Sequence, residues 1–141
     1  MRNSKENYSN EWTTPDDLFQ DLDREFHFTL DAAASDENHK CDRYFTEKDD
    51  ALQLSWGGHT VFCNPPYSQI GKWVAKAYHE GTKPGTVVVL LIPSRTDTKY
   101  FHGYIQNRSE VRFVKGRIKF GGAKVNAPFA SMIVIFRGPE E

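Results

Sequence analysis

An unbroken aliphatic run, Val-Val-Val-Leu-Leu-Ile at positions 87–92, is the feature of this sequence that most constrains its fold. A strand with one solvated face alternates apolar and polar residues, whereas an unbroken run indicates a strand that is covered on both faces. Such a strand lies inside a sheet, with other elements packed above and below it. The run is far too short to cross a bilayer, so we expect no membrane segment.

Helix-like and strand-like segments alternate on both sides of this run. Apolar residues at helical spacing predict helices near residues 15–26, 70–80 and 100–105. Thr14 is expected to cap the first helix and Pro15 to begin it. Strand-like patterns cover residues 26–30, 60–63, 86–92, 111–114, 117–120 and 129–136, with a short one at 44–45. Because strands alternate with helices, we predict an α/β fold with a mainly parallel, twisted sheet and flanking helices.

The distribution of charge along the chain suggests a partner. The chain has 141 residues, which suits one domain over residues 11–138 after a flexible N-terminus at residues 1–10. The formal net charge is −1, but residues 1–60 carry 14 acids and 6 bases, whereas residues 61–141 carry 12 bases and 5 acids. Such asymmetry favours a polyanion as partner, although a solvated basic surface gives the same pattern.

Cysteine and histidine content argues against a disulfide framework and against a metal centre. Cys41 and Cys63 are too few for a disulfide framework, and no signal peptide is visible, so free thiols in a cytoplasmic protein are expected. His39 and His59 would complete a set of four candidate zinc ligands, but their spacing fits no common zinc module. We therefore expect no metal.

Asn64-Pro65-Pro66-Tyr67 is the most informative string in the sequence, and it follows the predicted strand at 60–63. The two prolines lack N–H groups, fix φ and hold each preceding residue in extended geometry, so the turn is rigid. The side-chain oxygen of Asn64 and the carbonyl of Pro65 can form a pair of fixed hydrogen-bond acceptors, with the aromatic face of Tyr67 beside them. In sheets of this class, ligands bind beyond the carboxyl ends of the strands, where this turn would lie.

Two fixed acceptors suit a planar exocyclic amine, such as that of a purine or pyrimidine base. The lone pair of this nitrogen is delocalised into the ring, which makes the amine a poor nucleophile. Acceptors that hold its two hydrogens favour the pyramidal form, which can attack an activated electrophile such as a sulfonium methyl group. Three other interpretations stay open: a rigid turn without chemistry, an Asn-Pro-x-Tyr peptide read by a partner domain, and methyl transfer to a glutamine amide.

Residues 11–137 resemble the phage-type DNA N6-adenine methyltransferases, the Dam-related family of phages and prophages. Six segments in the family's order carry the resemblance: Glu11-Trp12-Thr13-Thr14-Pro15, Leu30-Asp31-Ala32-Ala33-Ala34, Asp50-Ala51-Leu52 with Trp56, Asn64-Pro65-Pro66-Tyr67-Ser68 with Trp73, Gly116-Arg117-Ile118-Lys119-Phe120, and Ala130-Ser131-Met132. The resemblance implies a compact Rossmann-like methyltransferase fold without a separate target-recognition domain. It also implies site-specific methyl transfer from S-adenosylmethionine to N6 of adenine in double-stranded DNA, as in restriction-modification, with the adenine flipped out of the duplex.

The resemblance also implies roles for individual residues. The catalytic set would be Asn64, Pro65, Pro66 and Tyr67. The cofactor set would be Trp12, Thr14, Pro15, Asp31, Ala32, Ala33 and Asp50. The DNA-binding set would be Ser68, Arg95, Lys99, Arg117, Lys119 and Lys124. In the cofactor set, Asp31 would meet the ammonium group and Asp50 the adenine ring, with Asp49 as an alternative to Asp50.

Two departures from the broader methyltransferase pattern keep alternatives open. Alanines stand where many methyltransferases carry a Gly-rich Phe-x-Gly-x-Gly motif, which motivates a non-catalytic nucleic-acid-binding module as one alternative. Methylation of RNA or of a protein glutamine is another. The short interval between Asp31 and Asn64 predicts that one strand–helix unit common in methyltransferases is shortened or absent.

Overall fold

A five-stranded sheet with the order β1-β2-β3-β5-β4 forms the centre of the protein in the computed structural model, which describes residues 13–121 and 125–141. Its strands are β1 (Leu30–Asp31), β2 (Thr60–Cys63), β3 (Val87–Pro93), β4 (Glu110–Phe113) and β5 (Ser131–Arg137). The pairs β1–β2 and β2–β3 are parallel, whereas β5 runs antiparallel to both β3 and β4. The α/β class is confirmed. The sheet is mixed and not mainly parallel as predicted, because β5 opposes the direction of the other strands and both of its pairings are antiparallel.

Within the described residues, the sheet is flanked by the α-helices α1 (Asp16–Phe26) and α2 (Ile70–Glu80). Helix α2 connects β2 to β3 and matches the helix predicted at 70–80. The helix predicted at 100–105 is a π-helical turn, Phe101–Ile105. Short 3-10 turns occur at Glu47–Asp49, Ala51–Gln53 and Tyr67–Gln69. Within residues 13–121 and 125–141, no helix combines the length and the apolar character that a bilayer crossing requires.

Strand β3 is buried on both faces, as its unbroken aliphatic run predicts. Val88, Leu90 and Ile92 belong to the apolar cluster that includes α2, and Val89 and Leu91 belong to the cluster that includes α1. All five side chains are fully shielded from solvent. Burying an aliphatic side chain of this size contributes about 1.5–3 kcal/mol relative to exposure. The central strand therefore fixes the positions of both helices relative to the sheet.

The boundary between α1 and β1 differs from the prediction. A strand over 26–30 was expected, but α1 runs through Phe26, His27 adopts a left-handed φ of 57°, and β1 is only Leu30–Asp31. Asp23 supplies the physical reason. Its carbonyl accepts the N–H of His27 at 2.8 Å and its carboxylate accepts the N–H of Phe28 at 2.8 Å, which ends the helix before the chain enters the sheet.

The beginning of α1 also differs from the prediction. The helix starts at Asp16, Pro15 precedes it with an extended ψ of 141°, and no side-chain cap bond forms. Thr14 is buried, and its hydroxyl accepts a hydrogen bond from the side chain of Asn64. The predicted cap is wrong because the first helical hydrogen bond runs from the N–H of Phe19 to the carbonyl of Pro15, so Pro15 takes the cap position and the Thr14 hydroxyl is bonded to Asn64 instead.

The strand predicted at 117–120 is also wrong. Ile118 and Phe120 are buried in the cluster that includes α1, while the alternate residues are exposed, so the segment has the burial pattern of a strand. It does not join the sheet ladder. Instead, the carbonyl of Ile118 accepts the N–H of Ala127 at 2.8 Å, and Gly121 forms an isolated antiparallel bridge with Thr13. The strand predicted at 44–45 is reduced to a bridge between residues 44 and 31.

Glu80, at the end of α2, anchors that helix to the loop before β2. Its buried carboxylate accepts the backbone N–H of Trp56 at 2.5 Å, Nζ of Lys83 at 2.8 Å and Nζ of Lys76 at 3.2 Å. Burial alone would raise the pKa of Glu80, but these three hydrogen bonds hold that pKa below its ordinary value. The ionised form of Glu80 therefore stabilises the fold.

The substitution Glu80→Gln should lower the free energy of unfolding by about 2 kcal/mol at neutral pH, since it removes a buried charge that ammonium groups satisfy. Because the folded-state pKa of Glu80 is depressed, its contribution is present above the unfolded-state pKa near 4.3 and is lost as the pH falls through the folded-state value. Urea unfolding of both proteins at acidic and neutral pH measures the difference.

The matched control is Glu140→Gln, which removes an exposed carboxylate and should change the free energy of unfolding by less than about 0.5 kcal/mol. A deficit for Glu80→Gln that is equally large at acidic and neutral pH would contradict the role given to the ionised carboxylate.

Candidate active site

The carboxyl ends of β1 and β2 open onto one cavity of about 800 Å³. Asp31 lies at the end of β1, and Asn64 directly follows β2. Because β1 and β2 are parallel neighbours, with Asp31 in register with Phe62, the two side chains reach the same edge of the sheet. A cavity of this size can hold a cofactor-sized ligand. It lies at the edge where sheets of this class bind their ligands.

The cavity brings together much of the predicted site. Its wall includes eight of the predicted residues: Thr14, Asp31, Ala32, Ala33, Asp50, Asn64, Pro66 and Ser68. Three other predicted residues that the structure describes do not line the cavity: Pro15, Pro65 and Tyr67. Trp12 and Lys124 lie outside the described residues.

Asp31 is the buried charge of this cavity, with only 3% of its surface exposed. Its carboxylate accepts the backbone N–H of Lys40 at 2.9 Å and that of Ala33 at 3.3 Å. Burial raises the pKa of Asp31 above its ordinary value, and the two backbone hydrogen bonds oppose that rise. A buried carboxylate is stabilised by an opposite charge. The position therefore suits a ligand with a cationic group.

Lys40 holds the loop after β1 against α1, a role that the sequence analysis missed. Its Nζ donates to Oδ1 of Asp16 at 2.7 Å, while its backbone N–H donates to Asp31. The hydrogen bond and the charge of Lys40 lower the pKa of Asp16. Lys40 stands in a polar stretch without periodicity, so no local pattern marks it.

The rest of the wall comes mainly from the segment between β1 and β2, and it is rich in acids. Besides Asp31 and Asp50, it includes Asp36, Glu37 and Glu47, with two bases, Lys40 and Lys48. Residues 32–59 contain no α-helix and no β-strand beyond an isolated bridge, so the expected shortening of one strand–helix unit is confirmed. The excess of carboxylates favours a positively charged ligand.

The turn after β2 is held by a side-chain contact of Asn64 and by the restricted backbone of its two prolines. Nδ2 of Asn64 donates to Oγ1 of Thr14 at 3.1 Å. Pro65 is buried, and Pro66 is extended, with φ −59° and ψ 130°, before the 3-10 turn that leads into α2. The chain therefore leaves the sheet in the extended, rigid manner that two consecutive prolines predict.

Tyr67 belongs to an aromatic cluster beside the turn. Its ring packs edge-on against Phe120 and Phe129, with centroid separations of 6.4 Å and 5.5 Å. Burial raises the pKa of the Tyr67 hydroxyl well above its ordinary value, so the phenol is neutral. Phe120 follows the basic residues at 117 and 119, so the cluster joins that segment to the turn.

Exposed basic residues gather at the carboxyl edge of the sheet. Arg95 and Lys99 follow β3, and Arg117 and Lys119 lie in the connection from β4 to β5, which begins and ends at this edge. All four are exposed, and none forms an ion pair in the part of the chain that the structure describes. Four other bases of the C-terminal half are paired with carboxylates: Lys76, Lys83, Arg112 and Arg137.

The cysteines are not suited to nucleophilic chemistry. Cys63 is buried at the end of β2 and Cys41 is half-buried. Burial raises the pKa of Cys63 well above its ordinary value and that of Cys41 to about 12, so both are protonated thiols at neutral pH.

Among the residues that the structure describes, no three His, Cys, Asp or Glu side chains are grouped to hold a metal ion.

Sequence comparisons relate the chain to phage enzymes. The DNA N-6-adenine-methyltransferase (Dam) family matches residues 2–139. A DNA N-6-adenine-methyltransferase of Escherichia phage T1 is 31% identical over 106 residues, covering 74% of this chain and 44% of the relative. A DNA N-6-adenine-methyltransferase of Haemophilus phage HP1 is 29% identical over 121 residues, covering 84% of this chain and 70% of the relative. The chain thus spans less than half of the phage T1 protein.

The family match includes both parts of the site, namely the turn after β2 and the buried carboxylate at the end of β1. It also includes the basic segment beside the aromatic cluster. By this match over nearly its whole length, the chain belongs to the DNA N-6-adenine-methyltransferase (Dam) family.

Proposed function

We propose that this protein transfers a methyl group from S-adenosylmethionine to the N6 amine of adenine in double-stranded DNA, at specific sites. One observation carries the proposal: Asn64 and Pro66 share a cavity wall with the buried carboxylate of Asp31. The turn suits an amine and the carboxylate suits a cationic ligand, and N6 methylation requires the target amine and S-adenosylmethionine to be bound side by side. Membership of the Dam family supports the same activity.

Asn64 and Pro65 would bind the target amine through their oxygens. The side-chain Oδ1 of Asn64 and the carbonyl of Pro65 can each accept one N6 hydrogen, which directs the nitrogen lone pair toward the methyl group. A strong base is not required before transfer, because the proton can leave afterwards. The main contribution of the turn is then orientation, which can lower a barrier by several kcal/mol.

Tyr67 would provide the surface on which the adenine stacks. Its ring is braced edge-on by Phe120 and Phe129, so its direction is fixed by packing. The raised pKa of its hydroxyl keeps the ring neutral. A neutral aromatic face stacks on a base without introducing a charge beside the amine.

The residues of the cavity fit S-adenosylmethionine, whose chemistry when bound is to present an electrophilic methyl group on a cationic sulfonium. Asp31 would hold the ammonium group, because it is the buried carboxylate of the site. Asp50 would accept a hydrogen bond from the N6 amine on the adenine ring of the cofactor. Ala32 and Ala33 would let the backbone approach closely, since their side chains are small. Trp12, Thr14 and Pro15 would lie near the methionine end.

The exposed bases at the carboxyl edge would contact DNA phosphates, which carry most of the affinity of such interfaces. The proposed contacts are Ser68, Arg95, Lys99, Arg117, Lys119 and Lys124. An amine inside a duplex cannot reach the turn, so the adenine would be flipped out. We also propose that residues 11–138 form one catalytic domain with a Rossmann-like arrangement, acting in the cytoplasm of the host cell.

Methyl transfer from labelled S-adenosylmethionine should appear in DNA, and mass spectrometry of the nucleosides should identify N6-methyladenine. The variant Asn64→Ala should lower the rate at least about a hundredfold, as loss of one positioned hydrogen-bonding group does at other active sites. Its Kd for the cofactor should stay within about threefold of the wild-type value, because Asp31 is unchanged.

The control is Asn107→Gly, an exposed asparagine between the π-helical turn and β4, whose φ of 64° glycine tolerates. It should retain full activity. Transfer to RNA or to protein glutamine in place of DNA would change the substrate class. Collapse of cofactor binding in Asn64→Ala would give the turn a structural role, and a wild-type protein that binds DNA but not the cofactor would be a non-catalytic module.

Cofactor binding should depend on the ionisation of Asp31. Its raised pKa means that affinity falls as the pH decreases toward that pKa, since a protonated carboxyl group is neutral. Asp31→Asn should weaken binding at least about tenfold at neutral pH and remove this pH dependence. Calorimetric titration with S-adenosylmethionine at several pH values measures both effects. Asp42→Asn, an exposed position in the same loop, should behave as the wild type; equal affinities for Asp31→Asn and the wild type would refute the assignment.

The double variant Arg117→Ala with Lys119→Ala should weaken DNA binding and reduce the slope of log K against log salt by about 2, or about one per lost phosphate contact. The matched control is Arg108→Ala with Arg137→Ala, which removes the same charge at the opposite edge of the sheet and should leave the slope within about 0.5 of the wild type. Fluorescence anisotropy with a labelled duplex gives the slopes. Equal slopes for the two double variants would exclude residues 117 and 119 from the interface.

A further inference from the structure

Thr14 and Asn64 are 50 positions apart and meet in the wall of one cavity. Nδ2 of Asn64 donates to Oγ1 of Thr14 at 3.1 Å. Thr14 is only 4% exposed and Asn64 is half-buried, so this hydrogen bond is partly shielded from water. A hydrogen bond that is partly shielded competes less with solvent than an exposed one and so holds its geometry more firmly.

The two ends of the Asn64 amide are not equivalent for the proposed reaction. The oxygen can accept a hydrogen from the adenine amine, whereas the nitrogen would point its own hydrogens at the hydrogens of that amine. Rotation of the amide by half a turn would therefore convert an attractive contact into a repulsive one. In the observed arrangement Nδ2 is bonded to Thr14, so the contact that holds Nδ2 goes together with the presentation of Oδ1 to the substrate.

We propose that Thr14 is a positioning residue, whose hydroxyl accepts from Nδ2 of Asn64 and thereby presents Oδ1 to the adenine amine. This inference rests on the proposed function and deepens it by assigning a task to Thr14 other than holding the cofactor. Thr14 acts through Asn64 and contributes to kcat, whereas a residue that only binds the cofactor contributes to its Kd and KM.

The backbone around Thr14 is fixed in a way that suits this role. On one side, Thr13 accepts the N–H of Gly121 at 2.8 Å through its carbonyl and donates its hydroxyl to the carbonyl of Gly121 at 3.0 Å. A side chain at Gly121 would collide with the hydroxyl of Thr13, so this close approach requires glycine. On the other side, Pro15 has a restricted φ and leads directly into α1. The hydroxyl of Thr14 thus starts from an anchored backbone.

The first test is the isosteric variant Thr14→Val, which removes the hydroxyl and keeps the shape. It should lower kcat by about tenfold to a hundredfold, while the Kd of S-adenosylmethionine changes less than about threefold. Thr14→Ser keeps the hydroxyl and should restore kcat to within about threefold of the wild type. A fall in cofactor affinity with unchanged kcat would overturn the inference and leave Thr14 as a cofactor contact.

The matched control is Thr86→Val at the other end of the sheet. Thr86 is also fully buried, and its Oγ1 also accepts one hydrogen bond, from the N–H of Gly58 at 2.8 Å. This variant should lose stability to a degree similar to that of Thr14→Val but keep its kcat. If both variants lose kcat equally, the effect of Thr14→Val is a general loss of stability and the inference fails.

A double-variant comparison isolates the orientation of the amide. Asn64→Asp replaces the amide by a carboxylate, whose two oxygens both accept, so no wrong end remains to be excluded. In the Asn64→Asp background, Thr14→Val should change kcat by less than about threefold, against tenfold or more beside the native asparagine. The same proportional decrease in kcat in both backgrounds would contradict a role in orienting the amide.

A second readout does not require activity. In the ¹⁵N-labelled protein without cofactor, the side-chain NH₂ signals of Asn64 can be identified by their loss in Asn64→Asp. Their exchange with water should be at least about tenfold faster in Thr14→Val and within about threefold of the wild type in Thr14→Ser and Thr86→Val. Unchanged exchange in Thr14→Val would overturn the inference even if the wild type methylates DNA. If exchange responds as expected but no DNA is methylated, the contact stands and the proposed function fails.

Discussion

The parallel pairing of β1 with β2 is the constraint on which the whole site depends. Leu30 pairs with Val61 and Asp31 with Phe62, so the strands end together and both of their carboxyl ends face one cavity. Side chains alternate along a strand, so a slip of one residue would exchange the environments of Leu30 and Asp31. That slip would bury a carboxylate in the apolar core, whose cost makes the observed register strongly preferred.

Acidic and basic residues occupy different positions along the carboxyl edge of the sheet. Carboxylates collect in the loop between β1 and β2, where they line the cavity. Bases that have no carboxylate partner among the described residues collect after β3 and in the connection from β4 to β5. Lys76, Lys83, Arg112 and Arg137 are instead used in ion pairs that stabilise the structure. Net charge therefore says little about this protein, whereas the placement of charge separates an acidic cavity from a basic surface.

Local sequence patterns correctly predicted the elements that are stabilised by local backbone preferences or by many apolar contacts together. The aliphatic run at 87–92 identified the central strand, and apolar spacing identified α2, because burial of one face requires that periodicity. Two prolines predicted the extended exit from β2 at Asn64. The patterns failed where one tertiary contact outweighed a local preference, as at residues 117–120, whose apolar alternation serves packing against α1 without a strand partner.

The sequence by itself determined the α/β class, the central strand and the turn that would carry the chemistry, since these follow from periodicity and from the restricted backbone of proline. Only the tertiary structure decided what Thr14 and Lys40 do. Thr14 has the sequence position of a helix cap, yet its hydroxyl is bonded to Asn64, and Lys40 has no distinguishing pattern, yet it holds both Asp31 and Asp16. The physical reason is that a polar group can be satisfied by any nearby partner, and the folded chain, more than the local sequence, decides which donor or acceptor is near.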